Sequence, residues 1–442
     1  MKKAVAILLV FSLSFCLFSC SGNGKNDITT KLSEKITEKI IESETEEIVP
    51  DVSATQNSEH IGVSGTPLLS AVTTADLGFK MLKKSFTQET NALISPVSIM
   101  TALSMTANGA SGKTLEEMEA VLGADIETLN KNFAPQNYNG NGVSTANSIW
   151  FRNDKKRLSV NDTFINRIEK NYGAEWYGKN FDKSTVRDMN RWVSQHTDGM
   201  INNMISDIPP EAVIYLINTV MFDAEWEYPY ENHNILKNQI FTSESGEKQE
   251  VTMLAQRTNT WMKFGLGKTE GIVKRYTNGY SFAAILPLEG VSINAALNSF
   301  TGSDFVNAVL PTAVDPTCGT GLYPVNVYLP KFDFECKLTM SDILKDMGMS
   351  TAFSQNDADF SNMGTSFGGN IFIGEVYHNT YISLDELGTR AGAASVVQMA
   401  DGAAPDPFGL TTMNFNRPFI YVIFETGTGT PLFIGTVRDF DV

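Results

Sequence analysis

Cysteine and histidine are scarce in this 442-residue chain, with four of each. They are too scattered for a disulfide framework or a Cys/His zinc module. Basic residues are also short. Lys and Arg number 34 against 50 Asp and Glu, a net charge of −16. Phosphate binding needs a basic footprint, so nucleic acid is excluded as a partner. No metal-ligand spacing, phosphate-cradling loop or internal repeat is present, and no cofactor or metal is expected. Hydrophobic residues make up 42% and charged residues 19%, the balance of a globular chain.

The longest apolar run near the start, residues 4–18, is short for a membrane span of about 20 residues. Lys2 and Lys3 precede it, giving the charged and apolar regions of an export signal. It ends in Leu17-Phe18-Ser19-Cys20, which resembles a bacterial lipobox. The resemblance implies a lipoprotein signal peptide over 1–19 and a lipid anchor on Cys20, with Cys16 discarded. The expected location is the cell surface or outer membrane, facing the extracellular space. Residues 20–66 read as a polar tether: the stretch is rich in Ser, Thr, Glu and Lys and contains no Phe, Tyr or Trp. Ile28, Leu32, Ile36 and Ile40 recur every four residues and allow one short amphipathic helix there. Export leaves Cys318 and Cys336 as two thiols that are able to pair or stay apart.

From residue 67 to 442 the patterning is that of one folded domain. Helices are expected over 68–85, 95–108, 114–122, 163–172, 186–199 and 341–347. Pro96 suits a first helical turn, and Thr114 with Glu117 has capping-box spacing. Strands are expected over 147–151, 282–286, 325–329 and 371–384. The apolar run 213–222 reads as a strand buried on both faces. Runs at 419–425 and 431–437 flank Thr426-Gly427-Thr428-Gly429, a hairpin with glycines where positive φ is needed. Helices lead and strands dominate the second half, so the class is α+β with large, mostly antiparallel sheets.

A series of stretches then occurs in one order. It runs from Ile94-Ser95-Pro96-Val97-Ser98-Ile99 and Asn108-Gly109-Ala110 to Asn190-Arg191-Trp192-Val193 and Thr197-Asp198-Gly199-Met200-Ile201. Asn218-Thr219-Val220-Met221-Phe222 leads to Trp226, and Leu329-Pro330-Lys331-Phe332 comes next. Asn416-Arg417-Pro418-Phe419 and Pro431-Leu432-Phe433-Ile434-Gly435 close the series. Together they resemble the serpin family over nearly all of 67–442. The resemblance implies a fold of three β-sheets and about nine helices, with an exposed reactive-centre loop near the C-terminus. It implies an irreversible suicide inhibitor of serine proteases, with cysteine proteases behind them, acting as a monomer. Such a protein is not an enzyme, because the protease supplies the catalytic residues. The alternative within the family is a non-inhibitory member acting as a binding or carrier module.

Inhibition in this family requires the cut loop to enter a sheet as a new strand. An entering segment must be extended, small on its buried side and free of proline. Residues 388–397 meet this requirement. Thr389, Ala391, Ala393, Ser395 and Val397 fall on one face, and Arg390, Gly392, Ala394 and Val396 on the other. Glu386-Leu387-Gly388-Thr389 resembles the family's hinge, carrying Glu386, Gly388, Thr389, Ala391, Ala393 and Ala394 over as hinge positions. Arg390 departs from the family's usual acidic residue, and Asp223 stands where it often has lysine. Ser95, Ser98, Asn218 and His378 match the family's polar shutter, and Trp226 matches its tryptophan where insertion begins.

Counting from Gly388 puts the cut after Gly402, while counting back from Pro418 reaches about Pro407. Pro405 and Pro407 disfavour a central strand beyond Gly402, so the candidate scissile region is Met399, Ala400, Asp401, Gly402 and Ala403. No Lys or Arg lies between Arg390 and Arg417, which argues against a trypsin-like target. Small residues favour elastase-like or subtilisin-like proteases, then papain-like ones. Gly364-Thr365-Ser366-Phe367-Gly368 matches the G-x-S-x-G pattern of hydrolases but lacks the strand before it and helix after it. Lys155, Lys156 and Arg157 read as a solvated turn.

Overall fold

The computed structural model describes residues 69–85, 91–134, 137–258, 262–310, 321–322, 325–390 and 411–440. All of them belong to the unit Ile61–Val442. Cys20 and Cys318 lie outside the described residues, as do the loop positions Ala391, Ala393, Ala394, Met399, Ala400, Asp401, Gly402 and Ala403.

Three large sheets, of seven, six and four strands, are joined by a two-stranded one, with nine α-helices among the described residues. Most strand pairs are antiparallel, as expected; Val143–Arg152 with Glu175–Lys179 and Val325–Pro330 with Thr411–Asn414 are parallel. The small fourth sheet, Gly364–Ser366 on Leu158–Val160, was not anticipated.

The seven-stranded sheet forms the centre because its strands are apolar on both faces. In Tyr280–Pro287, Phe419–Glu425 and Pro431–Val437, alternate side chains point to opposite sides. Ala283, Ile285, Ile420, Val422 and Ile434 pack with the helices Leu69–Ser85 and Pro96–Ala107. Phe282, Ala284, Tyr421, Ile423 and Phe433 pack on the other side with Trp226, Leu329, Phe332 and Leu384 from the other two sheets. One sheet therefore joins both cores, and a continuous apolar run is what such a strand requires.

Several boundaries differ from the expectations, each for a physical reason. The helix expected from residue 114 starts at Gly112, with Ser111 as its cap. Thr114 and Glu117 form no capping box: the Thr114 hydroxyl accepts from Asp359 N, and the Glu117 carboxylate accepts from Thr351 N and Oγ1. The helix expected over 186–199 spans Lys183–Gln195, because the Asp182 carboxylate accepts from the backbone of Ser184 and Thr185 and starts it earlier. The strand expected over 371–384 is only Tyr377–Leu384. Its neighbour Phe332–Thr339 begins pairing at Thr339 with Tyr377, so residues before Tyr377 have no ladder there. The strand runs Ile214–Glu225, and the run expected to be buried on both faces is so only in part: Ile214, Tyr215, Leu216, Val220 and Met221 are half-buried. In the hairpin, Gly429 has φ +75° and Gly427 has no positive φ.

Phe79 shows how tightly the helical layer is tied down. It is 1% exposed and meets Phe300 edge-on at 5.2 Å and Phe305 at 5.5 Å. Truncation leaves a cavity between three elements, so Phe79→Ala is expected to cost about 3–5 kcal/mol. A urea midpoint within error of the parent's would contradict this packing.

Candidate functional site

The six-stranded sheet runs Phe332–Thr339, Tyr377–Leu384, Gly388–Arg390, Ile214–Glu225, Val143–Arg152, Glu175–Lys179. Its third strand has three residues, whereas the strands beside it have eight and twelve. Gly388, Thr389 and Arg390 pair with Glu225, Ala224 and Asp223, and Thr389 and Arg390 pair with Leu384 and Ser383. Both ladders are antiparallel, so the two flanking strands run parallel to each other. Farther along them lies a cavity of about 790 Å³, lined by Ile214 to Asn218 from one strand and Tyr377 to Asn379 from the other. Ser98 and Leu103 of the helix Pro96–Ala107 close its inner side.

The hinge residues are held individually. A Cβ on Gly388 would lie 2.0 Å from Ala224 O, so only glycine fits there. Thr389 is 2% exposed, and its Oγ1 shares a 2.5 Å hydrogen bond with the Tyr276 hydroxyl. Its side chain thus enters the protein, the face its alternation assigned to it. Glu386 forms an ion pair with Lys331, and its carbonyl accepts from Tyr230 N at 2.9 Å.

Trp226 binds the same turn twice. Its backbone N–H donates to Leu387 O at 2.8 Å and its indole N–H to Asp385 O at 2.9 Å. The ring stacks on Tyr276 at 4.3 Å. Lys274 lies beneath, with Nζ 5.2 Å from the Trp226 ring centre and 4.4 Å from that of Tyr230. Its ammonium donates to Tyr228 O and Gln256 Oε1, and burial pushes its pKa down to about 7. Tyr276 and Lys274 escaped the sequence reading. Their one signal is the stretch Ile272-Val273-Lys274-Arg275-Tyr276, where a lysine directly follows two β-branched apolar residues.

At the cavity end, Ser95, Ser98, Asn218 and His378 come together. Ser95 caps the helix Pro96–Ala107, its Oγ accepting from Ser98 N. Its own N–H donates to His378 Nε2 at 3.0 Å. An accepting Nε2 requires a neutral ring, and burial pushes the His378 pKa down to about 4. Across the slot, Asn218 Nδ2 donates to Asn147 Oδ1 at 2.8 Å, and Asn147 in turn donates to Tyr172 O. Asn218 Oδ1 is buried and accepts no hydrogen bond among the described residues. The role of Asn147 was missed, although it is the register partner of Asn218, because it stands among Ser144, Thr145 and Ser148 and is not singled out by its neighbours.

Two other features carry no chemistry. Ser366 lies on a short strand, and its Oγ accepts from Gly368 N, without the strand-turn-helix setting of a hydrolase elbow. Cys336 is buried, and burial raises its thiol pKa.

His378 makes stability depend on pH with a definite sign. Unfolding restores its ordinary pKa of 6.5 against about 4 in the fold. Between these values the unfolded chain binds a proton that the folded one refuses, so stability falls as pH drops through that window. The loss is about 3 kcal/mol at most. His378→Gln is expected to flatten this slope in urea titrations between pH 6.5 and 4; equal slopes in both proteins would contradict a neutral His378.

Comparison with known proteins bears on the whole of this arrangement. The family model described as serpin (serine protease inhibitor) matches residues 72–440. An uncharacterized serpin-like protein of Thermococcus kodakarensis is 28% identical over 386 residues, covering 84% of this chain and 86% of its own. A serine protease inhibitor of Cyanea capillata is 26% identical over 375 residues, covering 79% of this chain and 93% of its own. The crystal structure of tengpin, a thermophilic serpin in the native state, superposes with a TM-score of 0.73 at 38% identity, covering 86% of this chain and 96% of that one. With its α+β fold and a sequence matched almost end to end beyond residue 71, this chain belongs to the serpin family.

Proposed function

We propose that this chain is an inhibitory serpin that traps a serine protease by inserting its cut loop into the six-stranded sheet. The observation that carries the reading is the three-residue hinge strand, seated with Thr389 buried at one end of a strand position that the described residues do not fill farther on. Continued in register, both ladders would bring Ser395 opposite Asn218 and His378. A serine there would meet the buried acceptor Asn218 Oδ1, which has no donor among the described residues. On that continuation Ala391, Ala393, Ser395 and Val397 would follow Thr389 on the inward face by alternation, and none is bulky.

The chemistry is the protease's own. Its serine oxygen attacks the carbonyl carbon of the scissile residue, forming an ester. The peptide C–N bond breaks, and the amine leaves as the new N-terminus of the C-terminal fragment. The window Met399 to Ala403, with Gly402 preferred, favours elastase-like or subtilisin-like targets, then papain-like ones. Residues 388–402 would span about 50 Å when extended, at about 3.3 Å per residue. Insertion of that length would carry the acylated protease to the far end of the sheet before water completes hydrolysis. Cys20 would carry a lipid and tether the inhibitor to a membrane facing the extracellular space.

Incubation with elastase, subtilisin, chymotrypsin, trypsin and papain is expected to give a complex that survives denaturing electrophoresis, and sequencing the released peptide locates the bond. Thr389→Arg would force a long cation into the space beside Tyr276, so the variant is expected to be cleaved without trapping. Trapping by that variant at the parent's stoichiometry, or cleavage without any complex across the panel, would end the inhibitory reading.

Membrane attachment has its own test. Expressed in a bacterial host with the lipoprotein pathway, the parent is expected to partition into detergent and Cys20→Ser into the aqueous phase. Equal partitioning would mean that Cys20 carries no anchor.

A further inference from the structure

We infer that Lys274 is a positioning residue whose ammonium holds in place, from one point, the two segments that precede and follow residues 391–410. The consequence for inhibition rests on the function proposed above; the tie between the two segments does not. Lys274 belongs to the strand Thr269–Arg275 of the seven-stranded sheet and is 2% exposed. Its Nζ donates at 2.7 Å to Tyr228 O, in the connection that leaves the six-stranded sheet after Glu225. It also donates at 2.9 Å to Gln256 Oε1, on Lys248–Thr258 of the four-stranded sheet. One ammonium therefore joins its own sheet to elements of both others.

Each bond leads to one of the two segments. Tyr228 lies between Trp226 and Tyr230, which take all three carbonyls of the turn before the hinge. Trp226 donates to those of Asp385 and Leu387, and Tyr230 to that of Glu386. The rings of the same two residues lie over the ammonium. The bridge of Trp226 with Tyr276 and the bond from Glu227 N to Arg275 O hold the start of this connection, and Lys274 takes its middle. On the other side, Gln256 is the register partner of Val327, and Val327 that of Met413. Met413 stands on Thr411–Asn414, the first described strand after Arg390. Withdrawing the donor would leave a carbonyl and an amide oxygen to find other partners inside the protein, the costly direction for a buried hydrogen bond. The ring faces and the two oxygens in turn offset the cost of keeping an ammonium out of water.

Hydrogen exchange on the intact full chain tests this, read on peptides covering 385–390 and 411–414, with the helix Leu69–Ser85 as reference. Lys274→Met keeps the apolar stem and removes the donor. It is expected to speed exchange about three- to tenfold at both peptides and less than about twofold at the helix. Gln256→Leu cuts one arm only and should speed 411–414 alone. A pH series on the parent adds a readout that packing by itself would not move. The Lys274 pKa is about 7 in place and 10.5 once the group is released. Opening that releases it takes up a proton above pH 7. Exchange corrected for its intrinsic rise with pH should therefore slow about tenfold between pH 7 and 8.5 in the parent and stay level in Lys274→Met. The other titratable groups around it are Glu227, which is exposed, and Tyr230 and Tyr276, both raised by burial. Equal acceleration of the reference helix, or the same pH slope in parent and Lys274→Met, would overturn the inference. In parallel, Lys274→Met should consume more inhibitor per protease trapped. If exchange tracks Lys274 while no protein, parent included, traps a protease, the tie stands and the inhibitory reading falls.

Discussion

A sheet whose two central strands are bridged, among the described residues, at one end only is the constraint on which this molecule turns. Backbone N–H and C=O groups are obligatory hydrogen-bonding groups, and a sheet interior normally satisfies all of them. Here three residues complete the ladder beside Trp226, and a cavity of about 790 Å³ lies between the same strands farther on. Most of the polar groups of the site belong to one end of that gap or the other. At the closed end, the Tyr276 hydroxyl, the Trp226 indole and the Lys331 ammonium all bind the hinge or the turn before it. At the open end, Ser95, His378, Asn147 and Asn218 hold the edges with hydrogen bonds, leaving one buried acceptor over.

What could be read in the sequence and what could not divide along the range of the interaction. The inward face of Thr389 came from period-two alternation, a local property of extended chain. The runs at 419–425 and 431–437 with glycines between them signalled a hairpin, and the two strands pair antiparallel. Ser95 and His378 are 283 residues apart, and only resemblance, not periodicity, grouped them together. Asn147 was invisible for a related reason: it stands among other small polar residues of its strand, and its meaning comes from the register with Asn218. Residues 371–376 read as strand because Ile371, Phe372, Ile373 and Val376 are apolar, yet a strand needs a neighbour as well as a composition. Thr114 and Glu117 had the right spacing for a cap, but their side chains are taken by Asp359 and Thr351 from a distant part of the chain.

Burial sets the chemistry of two ionisable groups, one at each end. His378, neutral, serves as an acceptor within the framework under the strands. Lys274, beneath two aromatic rings, keeps its ammonium tied to a carbonyl and an amide oxygen at the closed end. In both cases desolvation is the largest cause of the depressed pKa, so proton occupancy at each end reports on how closed the protein is around it.

The seated hinge has a consequence for timing. Starting a new strand between two others is slow because the ends must first find each other and lose their freedom together. With Thr389 and Arg390 paired on both sides and Gly388 on one, that nucleation step is already complete in the uncut chain. What would remain after cleavage is elongation. Hairpin pairing takes about 1–10 μs, whereas turnover of about 1–1,000 per second leaves an acyl-enzyme about 1 ms to 1 s. A race begun from a standing nucleus would start with a lead of at least about a hundredfold, and the drag of the attached protease would decide how much of that lead survives.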